Sequence, residues 1–157
     1  MSLELLEAAI TDLSTYLQAG MAAKVIALNA EYDDSVTLTD IAKWYEGNLP
    51  TAQPEYPSVC LQGLSWRPEE QTATELFIKN FINVLVFVGD DNDQDRFKRL
   101  CRYARGIVEL VAEGESSYGY LSKLEGDIVV SDTLNAPPFL QAVVIPISLY
   151  PLSGETY

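Results

Sequence analysis

The residues of this chain that could perform chemistry are carboxylates, because the sequence contains no histidine. Serine–histidine and cysteine–histidine catalysis are therefore excluded, and the commonest metal ligand is missing. No P-loop and no dinucleotide-binding glycine pattern appears. Carboxylate pairs remain available for a glycosidase-like mechanism, but nothing in the sequence singles out one pair. We therefore expect a protein that is not an enzyme, with no catalytic residues and no cofactor.

The densest group of carboxylates is the acidic run from Asp90 to Asp95. If an EF-hand calcium loop began at Asp91, carboxylates would occupy its third and fifth positions. The sixth position, normally glycine, is Arg96, and the twelfth, normally a bidentate glutamate, is Arg102. The run is predicted to cap a helix and to be solvated, and we expect no metal site.

The two cysteines, Cys60 and Cys101, fit no metal-binding spacing. Cys101 falls on the apolar stripe of a predicted helix, and Cys60 falls in a strand-like segment. In a cytosolic protein this favours buried free thiols over a disulfide. The first residues lack the basic region of a secretory signal, and no apolar run approaches the length that spans a bilayer, so synthesis in the cytoplasm is expected.

The composition is that of an ordinary soluble domain, with 157 residues, 48% hydrophobic and 21% charged. This length supports one hydrophobic core, and we predict a single domain over 1–157. The net charge of −13 argues against general nucleic-acid binding, which needs a basic surface. An acidic surface would still let a DNA duplex slide past without sticking.

The most informative segment is a predicted long strand over roughly Glu75 to Val88. A half-buried strand is apolar on one face and polar on the other. Here both faces are largely apolar. One carries Leu76, Ile78, Ile82, Val84, Val86 and Val88, and the other carries Phe77, Lys79, Phe81, Asn83, Leu85 and Phe87. We predict that more than one layer covers this strand, which is typical of an assembly subunit.

A helix is predicted from about Asp93 to Ala112, with an apolar stripe formed by Phe97, Leu100, Cys101, Ala104, Val108 and Val111. Four of the ten cations share its opposite face: Lys98, Arg99, Arg102 and Arg105. They could form a solvated face with the local pairs Asp95–Arg99 and Arg105–Glu109. They could equally dock onto an acidic surface of an identical neighbour. DNA contact is disfavoured by the net charge.

The remaining elements give an α+β fold, with N-terminal helices and the long amphipathic helix packed on a mainly antiparallel sheet. Gly20 is expected to divide the N-terminal helix into two pieces. A short helix is predicted over Leu38 to Tyr45, and strands are predicted over Ser58 to Leu64, Asp127 to Asp132 and Phe139 to Tyr150. The segment from Tyr118 to Leu124 could be a strand or a short helix. The irregular segments are a proline-rich connector over 48–57, a polar turn over Arg67 to Thr74 and a flexible tail over 153–157.

Pro146 lies within the predicted final strand. A proline lacks the ladder donor, so we expect this strand at a sheet edge or with a bulge, and such an edge could accept a neighbouring subunit.

Aromatic residues form a second group of candidate interface positions. Trp44, Tyr45, Tyr56 and Trp66 surround the connector, where aromatics most often pin a loop to the core but are also favoured at interface centres. The candidate interface set therefore combines the basic helix face with Phe77, Phe81, Phe87, Trp44 and Trp66.

Four stretches resemble the tail-terminator and tail-completion proteins of tailed bacteriophages. They are Ala27-Leu28-Asn29-Ala30-Glu31-Tyr32, then Tyr56-Pro57-Ser58-Val59-Cys60-Leu61, then Ile82-Asn83-Val84-Leu85-Val86-Phe87-Val88 through Arg102-Tyr103-Ala104-Arg105-Gly106-Ile107-Val108, and finally Leu140-Gln141-Ala142-Val143-Val144-Ile145-Pro146-Ile147. They are spread over the chain from residue 27 to residue 147, and none is a catalytic signature.

The resemblance implies a virion protein that forms a ring, usually a hexamer, at the head-proximal end of the tail. Its implied partners are itself, the tail tube protein, a neck or head-completion protein and, in a contractile tail, the sheath protein. Genomic DNA would pass through without specific binding, and no membrane is involved. The alternatives are a neck connector nearer the portal, or a small cytoplasmic carboxylate enzyme or ligand-binding domain. On the ring hypothesis, charge reversal at Arg99 and Arg102 should block assembly and leave the fold intact.

Overall fold

Two helices lie on one face of a seven-stranded, mainly antiparallel sheet, which confirms the predicted α+β class. A computed structural model describes residues 5–49, 55–71, 75–90, 92–114, 117–131, 140–152 and 155–156. In this part of the chain the helices are α1 (Leu5–Tyr32) and α2 (Asp93–Glu113). The strands are β1 (Lys43–Glu46), β2 (Ser58–Gln71), β3 (Glu75–Gly89), β4 (Tyr120–Leu124), β5 (Val129–Val130), β6 (Leu140–Pro151) and β7 (Glu155–Thr156).

The sheet has the order β1-β2-β3-β6-β4, with the long strand β3 at its centre. β1 runs parallel to β2, and the other pairs are antiparallel. β5 pairs with β6 and β7 pairs with the start of β3. The predicted strand over 75–88 is confirmed, and it extends one residue further to Gly89.

The hydrophobic core lies between the helices and one face of the sheet. Val84 and Val86 of β3 are fully buried there, in one hydrophobic cluster with Leu17 of α1 and Leu100 of α2. Each such side chain stabilises the fold by about 1.5–3 kcal/mol on burial. Neither of the two described helices is apolar enough over a sufficient length to cross a membrane.

The predicted break at Gly20 is wrong, because α1 is continuous from Leu5 to Tyr32. Gly20 lies where α1 meets α2, and a Cβ atom at this position would come within 2.6 Å of the Leu110 side chain. The missing side chain allows the two helices to approach closely. The glycine is therefore explained by interhelical packing, since the helix continues through it.

The predicted short helix over Leu38 to Tyr45 is also wrong, because this segment is extended and ends in β1. Asn29 of α1 holds it from one side: its amide donates to the Leu38 carbonyl at 2.9 Å and accepts from the Leu38 N–H at 2.7 Å. The Tyr103 hydroxyl donates to the Thr39 carbonyl at 2.7 Å from the other side. These tertiary hydrogen bonds outweigh the local helical pattern.

The position of α2 is confirmed to within one residue, but part of its predicted stripe is wrong. Asn92 caps the helix, accepting from the Asp95 N–H at 3.0 Å. The buried side is centred on Leu100, Tyr103 and Ile107, whereas Phe97 is 48% exposed. Cys101 is exposed too, so only the prediction for Cys60 as a buried thiol is correct. The helix is rotated so that Tyr103 points into the core.

Several strand limits differ from the prediction. β2 continues to Gln71, through much of the expected turn, and its register against β3 shifts between Gly63 and Ser65 and between Pro68 and Glu70. Residues 72–74 lie outside the described residues. The segment from Tyr118 to Leu124, predicted as a strand or a short helix, contains the strand β4. The strand expected over 127–132 is shorter than predicted and consists of β5.

The predicted edge position of β6 is wrong, because β6 lies between β3 and β4. Pro146 is in unbroken register with Asn83 of β3. On its other side β6 pairs with β5 up to Val144 and with β4 from Ile147 onward. The proline therefore occupies the gap between two short strands, where its carbonyl accepts from the Glu125 N–H at 3.0 Å.

Two predicted irregular segments are described only in part. Within the predicted tail, Glu155–Thr156 pairs with β3, and 153, 154 and 157 lie outside the described residues. Within the predicted connector, 50–54 also lie outside them.

Candidate functional site

The sheet side opposite the helices is the candidate functional surface. The alternation of β3 and β6 turns a set of half-buried, mainly apolar side chains to this side, which we call the open face: Phe77, Lys79, Phe81, Leu85, Phe87, Val144 and Tyr150. In the described residues both helices contact the other side of the sheet, and no helix or strand lies over these side chains. An apolar sheet face that the described helices and strands leave uncovered is a candidate interaction surface.

One half of the open face contains an apolar cavity of about 440 Å³. Leu85 and Phe87 of β3 form one wall, Val144 and Leu140 of β6 form the other, and Leu49 of the connector closes one side. The lining is almost wholly hydrocarbon, so the cavity can hold an apolar side chain but offers little to orient a polar substrate.

The other half of the open face is aromatic and cationic. The Phe81 ring has the Arg67 guanidinium at 5.0 Å and the Lys79 ammonium at 5.3 Å from its centre. Phe77 stacks on Tyr150 with ring centres 5.9 Å apart. Aromatic and arginine side chains are enriched at protein interfaces, and the cations beside these rings can pair with carboxylates of a partner.

The register of the strands places a third cation in this half of the open face. Lys123 of β4 lies opposite Ser148, which lies opposite Phe81. The carboxylate of Glu125 is nearby: a hydrogen bond from Ser148 and the ammonium of Lys79, at 2.9 Å, lower its pKa. The sequence analysis did not group the three cations Arg67, Lys79 and Lys123, because they lie on three different strands that only the sheet topology brings together.

The predicted basic face of α2 does not form one exposed patch. Arg102 is 4% exposed, donating to both Asp34 carboxylate oxygens at 3.0 and 2.5 Å and to the Val36 carbonyl at 2.7 Å. Its guanidinium also lies 4.0 Å from the centre of the Tyr32 ring. The prediction that Arg102 is exposed is wrong, because the loop after α1 folds over this side of α2.

The other three cations of the basic face differ in their environments. Arg99 pairs with Asp90 and donates to the Thr37 carbonyl at 3.3 Å, in place of the predicted pair with Asp95. Arg105 forms the predicted pair with Glu109 at 2.8 Å and a second pair with Glu31 at 2.9 Å. Lys98 is exposed. These arginines therefore tie α2 to neighbouring segments of the same chain.

The carboxyl groups with shifted pKa values in the described residues all shift downward. Hydrogen bonds from Arg102 lower the pKa of Asp34 to about 2. Hydrogen bonds from Arg105 and Lys24 lower the pKa of Glu109. A general acid working near neutral pH needs the opposite shift, so these groups serve as structural ion pairs.

Both tryptophans of the candidate set lie on the helix side of the sheet. Trp44 of β1 packs against the core. Trp66 lines a cavity of about 460 Å³ between α1 and β2, whose rim includes Glu46. Glu46 is exposed and accepts a hydrogen bond from Thr11 at 3.2 Å. The phenylalanines Phe77, Phe81 and Phe87 lie on the open face, so the structure separates them from the tryptophans.

The described residues contain no group of three or more cysteine, aspartate or glutamate side chains placed to hold a metal ion. No protein-family model matches the chain, and a search of curated proteins finds no significant relative. What the geometry offers is a shaped apolar and cationic surface, suited to binding another protein.

Proposed function

We propose that this protein is a structural subunit of a tailed bacteriophage, which forms a ring at the head-proximal end of the tail. The observation that carries the proposal is the open face, an apolar sheet surface with no covering layer among the described residues. It adds to the resemblance of the four sequence stretches to tail-terminator and tail-completion proteins.

The size of the open face fits a stable subunit contact. β3 and β6 are paired from Asn80 to Gly89, a length of roughly 33 Å, and β2 runs beside them, so these three strands cover roughly 14 Å by 33 Å. β1 and β4 add four and five residues at the borders, which brings the face to on the order of 600 Å². One partner of a standard protein interface buries about 800 Å², so this single face could supply most of such a contact.

In this proposal the function is stoichiometric binding. A closed ring covers the last interface of the tail tube and prevents further tube subunits from adding. Its other side meets a neck protein. The net charge of −13 repels phosphates, so a duplex could pass without being held.

The deciding experiment is disruption of the gene in the phage or prophage genome that encodes this chain, followed by electron microscopy of the particles. Overlong or headless tails would support termination. Empty or leaking heads would replace the proposal with the neck-connector alternative, and normal infectious particles would refute both.

Rescue with variants then tests the open face directly. Leu85→Glu places a carboxylate on the open face, and rescue of assembly should fail. Gln94→Glu is the matched control, the same added charge at an exposed position of α2 on the helix side and outside the candidate interface set, and it should rescue. Circular dichroism and thermal melting of both purified variants show that each has folded. Equal rescue by the two variants would contradict a role for the open face.

A further inference from the structure

The exposed side of α1 has the character of a buried surface. Between Asp12 and Glu31 no exposed position of this helix is charged, and its second half presents mainly alanine around Ile26. Ile26 is 71% exposed, more than any other large apolar side chain in the described residues. A helix that is apolar on nearly all sides is normally covered by another element. In the described residues α2 and the sheet cover only its inner side.

On the open face, the distance between the apolar cavity and Lys79 matches the distance between Ile26 and Asp12 on α1. The apolar cavity around Leu85 could receive an isolated branched side chain such as Ile26. Asp12 lies fourteen residues before Ile26, about 21 Å along the helix and within about 40° of the same side. Lys79 lies six residues before Leu85, about 20 Å along β3 and on the same face. One docking position therefore places Ile26 over the cavity and Asp12 beside Lys79.

We propose that α1 of one copy packs along β3 of the next copy, with Ile26 in the apolar cavity and Asp12 at the cationic half of the open face. This rests on the proposed self-assembly and names the two surfaces that perform it. α1 has 28 residues, about 42 Å, and β3 has 15, about 50 Å, so the helix can lie along the strand for its whole length.

The charges of the described side chains agree with this direction of docking. Glu7 and Asp12 are exposed in the first half of α1, whereas the cationic half of the open face holds Arg67, Lys79 and Lys123. These three cations outnumber the carboxylate of Glu125, which pairs with Lys79 there. Asp12 accepts the Tyr120 hydroxyl at 2.9 Å through one oxygen, which leaves the other for a partner. The reverse direction would put these carboxylates over the hydrocarbon cavity.

Two different surfaces meet in such a contact, so it is heterologous. A heterologous contact repeated from copy to copy closes into a ring when the rotation allows it. The competing arrangement is a symmetric pair in which two open faces meet, and it would stop at a dimer.

Cysteine cross-linking distinguishes these arrangements. In a Cys101→Ser background, Ile26→Cys and Val144→Cys are made as separate proteins, mixed, and oxidised with oxidised glutathione. We expect a mixed disulfide in the mixture and little homodimer of either variant, because a disulfide needs Cα atoms within about 7 Å. Wild-type protein with its exposed Cys101, mixed with Val144→Cys, is the matched control and should not cross-link.

The other outcomes overturn the proposal. A Val144→Cys homodimer as the main product would show that two open faces meet. Absence of any cross-link, at concentrations where sedimentation shows oligomers, would show that another surface forms the contact. A sample that stays monomeric throughout, also on added tail tubes, would remove both this contact and the ring.

A substitution at the proposed contact gives an independent measurement. Ile26→Asp should weaken self-association by about tenfold or more, since it removes a buried branched side chain and adds a charge. Phe97→Asp, at another exposed apolar position on the helices, should leave it unchanged. If Ile26→Asp abolishes association but particles still terminate normally, the contact stands and the proposed function fails. If both variants associate like wild type while gene disruption gives overlong tails, the function stands and the contact is wrong.

Discussion

Replacing Arg102 with alanine should destabilise the fold of the protein. The guanidinium ties α2 to the loop that follows α1, through two bonds to the Asp34 carboxylate and one to the Val36 carbonyl. It also stacks on Tyr32. This revises the expectation that charge reversal at Arg102 would leave the fold intact.

The size of the expected loss in stability depends on whether each hydrogen-bond partner of Arg102 can reach water once the guanidinium is removed. Removing one member of a buried ion pair costs about 3–5 kcal/mol when the other charge cannot reach water. The Asp34 side chain is 36% exposed and can be rehydrated, which places the cost near the lower limit. The Val36 carbonyl loses a charge-assisted hydrogen bond as well. We expect Arg102→Ala to lower the free energy of unfolding by about 3 kcal/mol, or roughly 6–12 °C in Tm for a domain of this size.

Urea denaturation of the purified protein measures this change. Lys98→Ala is the matched control, a cation of the same helix that is exposed, and it should stay within about 0.5 kcal/mol of wild type. If Arg102→Ala costs less than about 1 kcal/mol, or no more than Lys98→Ala, the buried ion pair does not hold this loop and the reasoning fails.

Three further predictions concern the same fold. Hydrogen bonds from Arg102 lower the pKa of Asp34 from 3.8 to about 2, so the stabilisation that this carboxylate provides should be complete above about pH 5 and lost as the pH falls through 2. Asp34→Asn should flatten this part of a plot of Tm against pH, and parallel curves would contradict the pairing. Gly114→Ala would press a Cβ atom into the Tyr16 hydroxyl and should lower the free energy of unfolding by about 1–3 kcal/mol, so an unchanged urea midpoint would refute the close contact. A thiol reagent should label Cys101 quickly and Cys60 only after denaturation, and equal rates would show that the burial of Cys60 is wrong.

The sequence was sufficient to predict the strand β3 and the helix α2, because each depends on a pattern within its own segment. Alternation alone placed Val84 and Phe87 on opposite faces, and the acidic turn marked the start of α2. Failures occurred where a distant residue decides the local structure. Gly20 resembles a helix break unless Leu110 is known to pack against it.

The candidate site was predicted only in part, for the same physical reason. The phenylalanines of β3 were identified as a second apolar face, and they lie on the open face. The helical wheel grouped four cations of α2, but it cannot show that the loop containing Asp34 folds back to cover Arg102. Nor can a linear pattern join Arg67, Lys79 and Lys123, since strand order alone makes them neighbours.

The borders of the sheet have a consequence for the behaviour of the purified protein at high concentration. β4 and β5 are short at one border, with five and two residues, and at the other border β1 covers only Ser58 to Leu61 of β2. The outer side of β2 from Gln62 to Gln71 therefore has no partner strand among the described residues, but Pro68 and two register shifts interrupt it. A proline and bulges of this kind break the ladder that a stray polypeptide would extend, which disfavours growth into cross-β fibres. A concentrated solution of the protein should therefore stay dispersed and recoverable.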